Sequence, residues 1–282
     1  MRIILIGGAQ RSGTTIVQTL VANALDGSPV LPESHLLCDI VHAYKRAKTE
    51  WQKTSKFYHS KEDLTGFFRA ASEAHLSDIA RRYENPKGLV LKDPNFAHVA
   101  TEVLELIRRA AFILCIRDPR DITASFLKIG QRQAKQQQAT RYIKRNIRFI
   151  CSKINSAYEP AIDGPSTREV VFAKYEEMVT NPRDALVKLA TKTGLPLDLA
   201  RTENLRWLEP EFRHQDAWIT ELEGRPPTGE SIGSFQEILY AEEIAQVERA
   251  CSELMTRFDY RQDTTGKAKK RPILDRLRRI AK

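Results

Sequence analysis

A pattern of residues suited to holding an anion lies near the amino end of the chain. Gly8 to Thr15 reads GAQRSGTT, which has the glycine spacing of a nucleotide-binding phosphate loop except that Thr14 stands where such loops carry lysine. Backbone N–H groups of a glycine-containing loop at a helix N-terminus form an anion cradle. Ser12, Thr14 and Thr15 add hydroxyl donors, and Arg11 adds positive charge. Without the lysine, this loop disfavours a triphosphate as its ligand.

A second cluster suited to phosphate occupies residues 117–127, which read RDPRDITASFL. Asp118 can cap a helix that begins at Pro119, a residue favoured at the first helical position. Arg117 would then lie at the end of a strand and Ser125 two turns into the helix. The two side chains could converge on one phosphate, although an arginine at a strand end is more often a surface or ion-paired residue.

Four short apolar runs define the elements that must position these clusters. Each run is followed by a polar cluster and then by a helical pattern, and the runs are Arg2 to Ile6, Gly88 to Leu91, Ala111 to Ile116 and Val170 to Ala173. Strands alternating with helices predict an α/β fold with a phosphate-loop type of parallel sheet flanked by helices. Ligands of such sheets bind beyond the carboxyl ends of the strands, where both clusters fall.

Further patterns divide the chain into a body and a tail. Residues 27–87 form a helical excursion between the first and second strands, with helices predicted over Leu36–Lys48 and Glu62–Tyr83. Amphipathic patterns predict two more helices, over Thr140–Tyr158 and Glu242–Phe258, and residues 224–234 read as a loop. We expect one domain over residues 1–262 and a basic tail over residues 263–282.

The composition is that of a soluble protein that stays in the cytoplasm. The chain has 282 residues, of which 41% are hydrophobic and 29% charged. It contains no apolar run of about 18 residues and no signal-peptide pattern. Its four cysteines are widely spaced without a CxxC pair, so the sequence indicates reduced thiols rather than a zinc site or disulfides.

The basic residues are concentrated in two regions that need separate explanations. The formal net charge is +9. Residues 267–282 contribute +7 of it, with apolar residues at helical spacing, a pattern typical of either a solvated terminus or a weak contact with an anionic membrane surface. Residues 108–148 are also basic and could face an anionic ligand. We expect no nucleic-acid partner, and nothing in the sequence indicates an oligomeric state.

Together the two clusters resemble the cofactor sites of sulfotransferases that use 3′-phosphoadenylyl sulfate (PAPS), in the branch of bacterial and tyrosylprotein sulfotransferases. The resemblance covers most of the chain, from Arg2 to about Tyr260, and rests on RSGTT after the first strand and R-x7-S after a later one. It implies that one set of residues holds the 5′-phosphosulfate, namely Arg11, Ser12, Gly13, Thr14 and Thr15. Arg117 and Ser125 would hold the 3′-phosphate.

Two weaker matches extend the resemblance. Tyr175, in AKYEEM after the fourth strand, resembles the tyrosine that approaches the adenine. Residues 231–234, with Ser231 and Gly233, resemble a loop that closes over the 3′-phosphate. The family implies PAPS as the donor, its desulfonated product PAP, and no metal. A phosphosulfate has no γ phosphate, which explains why the loop can do without lysine.

The general base is the point at which the sequence departs from part of the family. Glu33, in LPESHLL, corresponds to the glutamate base of the tyrosylprotein branch, and His35 lies close to it in the sequence. Asp93 falls where cytosolic members carry a histidine base. Lys92 matches the lysine that precedes this position, and we expect it to stabilise charge at the sulfuryl group. Glu33 is the favoured base, with His35 and Asp93 as alternatives.

The predicted function is sulfuryl transfer from PAPS to the hydroxyl of a carbohydrate, a peptide tyrosine or a small metabolite. Positioning and electrostatics carry most of the catalysis in such a transfer, with a carboxylate base removing the hydroxyl proton. Two alternatives remain open at the level of sequence. One is a small-molecule kinase that uses ATP, and the other is a non-catalytic protein that binds anions or a membrane surface.

Overall fold

The computed structural model describes residues 1–162, 170–208, 218, 222 and 224–261. Its described strands form one parallel sheet in the order β2-β1-β3-β4. The strands are β1 (Arg2–Gly8), β2 (Gly88–Lys92), β3 (Ala111–Ile116) and β4 (Val170–Lys174). The predicted α/β class with a parallel sheet is therefore confirmed, and each strand lies where its apolar run predicted it.

The strands are paired in a register that aligns their carboxyl ends. Ile6 of β1 pairs with Lys92 of β2, and Gly8 pairs with Cys115 of β3. Every residue of β2 is buried, and β1 is buried from Ile4 onwards. Near-continuous apolar strands of this kind are typical of a parallel sheet covered on both faces.

The described residues divide into two compact units. The first lies within Met1–Ile116, Ser156–His214 and Gly224–Pro227, and the second within Arg117–Asn155, Gln215–Glu223 and Thr228–Lys282. The sheet belongs to the first unit. The prediction of one domain over residues 1–262 stays a prediction, and the tail from 263 to 282 lies outside the described residues.

Helices flank the strands in the first unit and build the second. The excursion between β1 and β2 carries the predicted pair of long helices. In chain order the helices are α1 (Thr14–Ala24), α2 (His35–Thr49), α3 (Trp51–Thr54), α4 (Lys61–Arg82), α5 (Ala100–Leu106), α6 (Pro119–Lys135), α7 (Ile147–Ile162), α8 (Tyr175–Thr180), α9 (Pro182–Thr193), α10 (Phe235–Ile238), α11 (Ala241–Ala250) and α12 (Ser252–Arg257). No described helix is long and apolar enough to cross a membrane.

The core of the first unit forms where α1, α8 and α9 cover the sheet. Its buried cluster includes Ile4 and Ile6 of β1, Val17 and Leu20 of α1, and Leu186 of α9. Burying a side chain of this size stabilises the fold by roughly 1.5–3 kcal/mol. The sheet and the start of α1 thus form a rigid support for the loop between them.

The helix predicted over Thr140–Tyr158 begins later than its pattern indicates. Tyr142–Lys144 is a 3-10 turn, Arg145 has a left-handed backbone with φ of 51°, and α7 starts at Ile147. The Arg145 guanidinium donates to the Glu243 carboxylate and to the Ile238 carbonyl. These tertiary contacts override the local helical preference.

The helix predicted over Glu242–Phe258 is interrupted. α11 ends at Ala250 and α12 begins at Ser252, because Cys251 leaves the helical conformation with φ of −113°. The Cys251 side chain is buried, so the break lies on the side of the helix pair that faces the protein.

Gly13 is a position where the fold requires glycine. Its φ is 95°, and a Cβ atom placed there would lie 2.3 Å from Cδ2 of Tyr175. We expect Gly13→Ala to destabilise the protein by roughly 1–3 kcal/mol more than Gly27→Ala, because overpacking adds to backbone strain. Gly27 is the matched control, since its φ is 70° and no atom lies within 4 Å of its Cβ position. Equilibrium unfolding in urea measures both costs, and equal costs would contradict the role given to Tyr175.

Candidate functional site

The loop between β1 and α1 presents backbone amides at the carboxyl end of the sheet. α1 begins at Thr14, and the first backbone bond back to the loop runs from the Val17 amide to the Gly13 carbonyl, at 3.2 Å. The amides of residues 14–16 therefore have no carbonyl acceptor within the helix. Arg11, with φ of 74°, and Gly13 both have left-handed backbones. The loop thus has the backbone geometry of an anion cradle, and its role in holding a phosphosulfate stays a prediction.

Ser12 places a buried hydroxyl inside this cradle. The residue is fully buried, and its side chain lies within hydrogen-bonding reach of the Tyr158 hydroxyl. The Tyr158 hydroxyl donates to the carbonyl of Cys115, at 2.9 Å, so its oxygen can accept from Ser12. Gly8 leaves room for the Ser12 hydroxyl, because a Cβ atom at position 8 would lie 2.6 Å from the Ser12 Oγ.

Tyr175 lies against the loop. It is the first residue of α8, directly after β4, and only 6% of it is exposed. Its ring occupies the space beside Gly13 that a larger residue would need. The family resemblance implies that Tyr175 approaches an adenine, which stays a prediction, and the structure shows that its ring packs on the loop beside Gly13.

Lys92 connects the loop to the excursion. It ends β2, and its buried ammonium lies 2.7 Å from Oε1 of Glu33 and 3.4 Å from Oγ1 of Thr15. The backbone fixes the same pair, because Glu33 forms an isolated parallel bridge with Lys92 and the Ser34 amide donates to the Lys92 carbonyl at 2.9 Å. The predicted base and the predicted charge-stabilising lysine are therefore direct partners.

His35 and Asp93 complete this cluster. The Nδ1 atom of His35 lies 2.9 Å from Oδ2 of Asp93, and Nε2 lies 3.5 Å from Oε2 of Glu33. Asp93 is fully buried, whereas 69% of the His35 side chain is exposed. The nearest ligand atoms of the three residues lie within 4.8 Å of one another, a spacing that would also suit a cation. Because Glu33 accepts from Lys92 and Asp93 accepts a backbone amide and contacts His35, we interpret the cluster as a row of side chains in which the Asp93–His35 and Lys92–Glu33 pairs are hydrogen-bonded.

The negative charge of this cluster affects the pKa of a buried thiol, that of Cys38. Cys38 lies on α2, one turn after Ser34. Burial raises the pKa of the Cys38 thiol, and the carboxylates of Asp93, Asp39 and Glu33 raise the pKa further. The carboxylates of the cluster thus lie close enough to this thiol to oppose its ionisation.

In the second unit, a buried ion-pair network starts at the residue after Arg117. The Asp118 carboxylate caps α6 by accepting the Arg120 amide at 2.8 Å, which confirms the predicted cap. Arg120 pairs with Asp118 at 2.7 Å and with Glu248 at 2.8 Å. Its guanidinium also lies 4.4 Å from the centre of the Phe235 ring. These charges are paired and hydrogen-bonded, as burial requires.

Asp121 ties the predicted closing loop to the start of α6, two residues after the Asp118–Pro119 pair. Its Oδ2 accepts the Gly233 amide at 2.8 Å, and its Oδ1 accepts the Phe235 amide at 3.0 Å. Arg117 donates from Nη2 to the Ser231 carbonyl at 2.9 Å. Burial raises the pKa of Asp121, while the Arg117 guanidinium and the loop amides oppose this effect. Arg117, Ser231 and Gly233 are therefore brought together in the second unit, and their role at a 3′-phosphate stays a prediction.

Sequence analysis overlooked the part that Asp121 plays. In the sequence Asp121 is the second aspartate of RDPRD, in the first turn of α6. An acidic residue at a helix start is common because it interacts favourably with the helix dipole, so the position by itself indicates no further role. Ser125, one turn further along α6, is half-buried. The predicted 3′-phosphate residues all lie in the second unit, and the predicted 5′-phosphosulfate and base residues all lie in the first.

We expect Asp121→Asn to loosen the loop at residues 231–235 while α6 remains folded. An amide has one acceptor oxygen, so it cannot accept both loop amides, and its NH₂ group would face a backbone donor. Losing a hydrogen bond to a charged group costs about 1.5–3 kcal/mol, which corresponds to roughly 10-fold to 100-fold faster hydrogen exchange at Gly233 and Phe235. Amide exchange measured by NMR gives both rates.

The matched control is Asp184→Asn, which changes an exposed carboxylate that accepts from the side chain of Asn181 in the first unit. It should leave exchange at Gly233 and Phe235 unchanged. Equal protection of both amides in Asp121→Asn and the unmodified protein would contradict the loop-holding role.

Comparison with known proteins identifies the family of the chain. The model of a family described as the sulfotransferase family matches residues 4–199. Protein-tyrosine sulfotransferase A of Caenorhabditis elegans is 22% identical over 204 residues, which make up 69% of this chain and 50% of that protein. The chain therefore spans about half the length of this curated relative.

Solved structures are similar over nearly the whole chain. The sulfotransferase domain of the olefin synthase from Synechococcus PCC 7002 has a TM-score of 0.56 and 15% identity, covering 93% of this chain and 95% of that domain. The sulfotransferase domain from the curacin biosynthetic pathway has a TM-score of 0.52 and 17% identity, covering 90% and 97%. At this identity the structures show the shared fold. The family match, which covers well over half of the chain, shows that this protein belongs to the sulfotransferase family.

Proposed function

We propose that this protein transfers a sulfuryl group from PAPS to a hydroxyl group, with Glu33 as the general base. The observation that carries the proposal is the contact of Lys92 with both Glu33 and Thr15. It sets a carboxylate and a buried positive charge beside an anion cradle within one unit. Transfer of an anionic group to a hydroxyl needs these three features together.

The described residues fit PAPS as the donor. The loop amides, the buried Ser12 hydroxyl and Arg11 would hold the 5′-phosphosulfate, with Tyr175 next to them. In the second unit, Arg117, Ser125 and the loop of residues 231–233 would hold the 3′-phosphate. When bound, PAPS supplies a sulfuryl group on an activated phosphosulfate anhydride.

Glu33 would remove the proton of the acceptor hydroxyl, and Lys92 would stabilise negative charge at the sulfuryl group. Glu33 has one carboxylate oxygen bonded to Lys92 and a second that is free of that ion pair, and 37% of its side chain is exposed. The second oxygen can accept the proton of an incoming hydroxyl group. The Lys92 ammonium would balance negative charge at the loop, where Thr14 and Thr15 add hydroxyl donors. No metal takes part in this proposal, and the acceptor is a carbohydrate, a peptide tyrosine or a small metabolite.

Binding of PAP tests the donor assignment directly. Calorimetry should show that the protein binds PAP without added metal, and that Arg117→Ala lowers the affinity roughly 10-fold to 100-fold because a charged hydrogen bond is lost. Arg201→Ala is the control, since Arg201 is an exposed arginine paired with Asp26 and Asp198. Thermal unfolding of each variant, with Arg117→Lys beside them, separates lost binding from lost folding. A folded protein that shows no PAP binding would refute the donor.

Turnover tests the base. Labelled PAPS is offered with a panel of acceptors that comprises a tyrosyl peptide, an oligosaccharide and a simple phenol. Glu33→Gln should lower kcat roughly 10²-fold to 10⁴-fold, the usual contribution of a general base, while PAP affinity is retained. Glu50→Gln is the control, because Glu50 is an exposed carboxylate paired with Lys53. Full turnover by Glu33→Gln would show that another group is the base.

A further inference from the structure

Glu33, His35 and Asp93, which the sequence left as alternative bases, lie next to one another in a row, with His35 in the middle. We propose that His35, held by Asp93, receives the proton from Glu33 and releases it to solvent, so that His35 and Asp93 act as positioning residues for the base. This inference rests on the proposed function. It assigns to His35 and Asp93 the removal of the proton from Glu33, which returns Glu33 to the carboxylate form before the next turnover.

Asp93 fixes the orientation of the imidazole from a rigid position. Its backbone amide donates to the Ile6 carbonyl of β1 at 3.1 Å, and its Oδ1 accepts the Asn95 amide at 2.8 Å. The other oxygen, Oδ2, is left for Nδ1 of His35 at 2.9 Å. A carboxylate can only accept, so in the neutral ring the proton lies on Nδ1 and the lone pair lies on Nε2.

The two oxygens of Glu33 have different environments. Oε1 lies 2.7 Å from the Lys92 ammonium, whereas Oε2 lies 3.5 Å from Nε2 of His35. The longer distance exceeds a direct hydrogen bond, as expected for two lone pairs that face each other without a proton between them. A proton arriving on Oε2 would allow the two atoms to approach, and Nε2 is placed to accept it.

The chain leads from a buried anchor to water. Asp93 is fully buried, and 69% of the His35 side chain is exposed. During transfer, the acceptor oxygen forms a bond to sulfur while the bond from sulfur to the bridging oxygen of the donor breaks. The acceptor O–H bond breaks as its proton passes to Oε2 of Glu33. The proton then moves to Nε2 of His35 and from there to a water molecule, which restores the Glu33 carboxylate and the neutral imidazole.

The first experiment needs no substrate. Long-range ¹H–¹⁵N spectra of protein labelled with ¹⁵N-histidine report which ring nitrogen carries the proton, and His35→Gln identifies the His35 signals among those of six histidines. We expect the neutral form of the His35 ring to be protonated at Nδ1, and its population to shift toward the Nε2–H tautomer in Asp93→Asn. Asp39→Asn is the control, because Asp39 is an exposed carboxylate on the same helix. A ring protonated at Nε2, or one unaffected by Asp93→Asn, would overturn the inference.

The second experiment measures kcat, KM and PAP affinity for Asp93→Asn and His35→Gln. We expect kcat to fall roughly 10-fold or more with unchanged PAP affinity, and added imidazole to restore part of the kcat of His35→Ala. If Glu33→Gln abolishes turnover while His35→Gln keeps full kcat, the relay is wrong and the proposed function stands. If PAP fails to bind, the proposed function falls, and the tautomer measurement still reports on the contact between His35 and Asp93.

Discussion

The arrangement of the first unit depends on a lysine ammonium buried at the end of a strand. Lys92 has only 7% of its side chain exposed, and a charge in that position must be paired and hydrogen-bonded to be tolerated. Glu33 supplies the partner, and the bridge between the two backbones brings the start of the excursion to the edge of the sheet. His35 and the beginning of α2 are positioned by the same contact.

The two predicted phosphate sites are built by different means. In the first unit the donors are mainly backbone amides at the start of α1, arranged by left-handed residues in the loop. In the second unit the geometry depends on side chains, since Asp121 holds the closing loop by its amides and Arg120 is held between two carboxylates. In the second unit the acidic groups are therefore used internally, to hold the loop and to pair Arg120.

Local sequence patterns predicted the four strands and the cap of α6 because apolar runs and Asp-Pro pairs act over a few residues. They could not predict that Glu33, His35 and Asp93 form one chain, because these residues lie on segments separated by more than fifty positions and meet only through the register of β2. The late start of α7 has the same origin, since Arg145 is held by residues of the carboxyl-terminal part of the chain. Asp121 escaped notice because its partners are backbone amides, which no sequence pattern displays.

The cradle made of backbone amides has a consequence for which parts of the loop are constrained. Every amino acid except proline supplies an amide, so the backbone donors of the loop do not depend on the identity of its side chains. The constraint falls on backbone conformation, at Gly8 and Gly13, and on the ring of Tyr175 that limits the space beside the loop. The loop therefore combines two kinds of constraint: backbone shape and volume decide where the amides point, and the side chains of Arg11, Ser12, Thr14 and Thr15 decide what else can reach a bound anion.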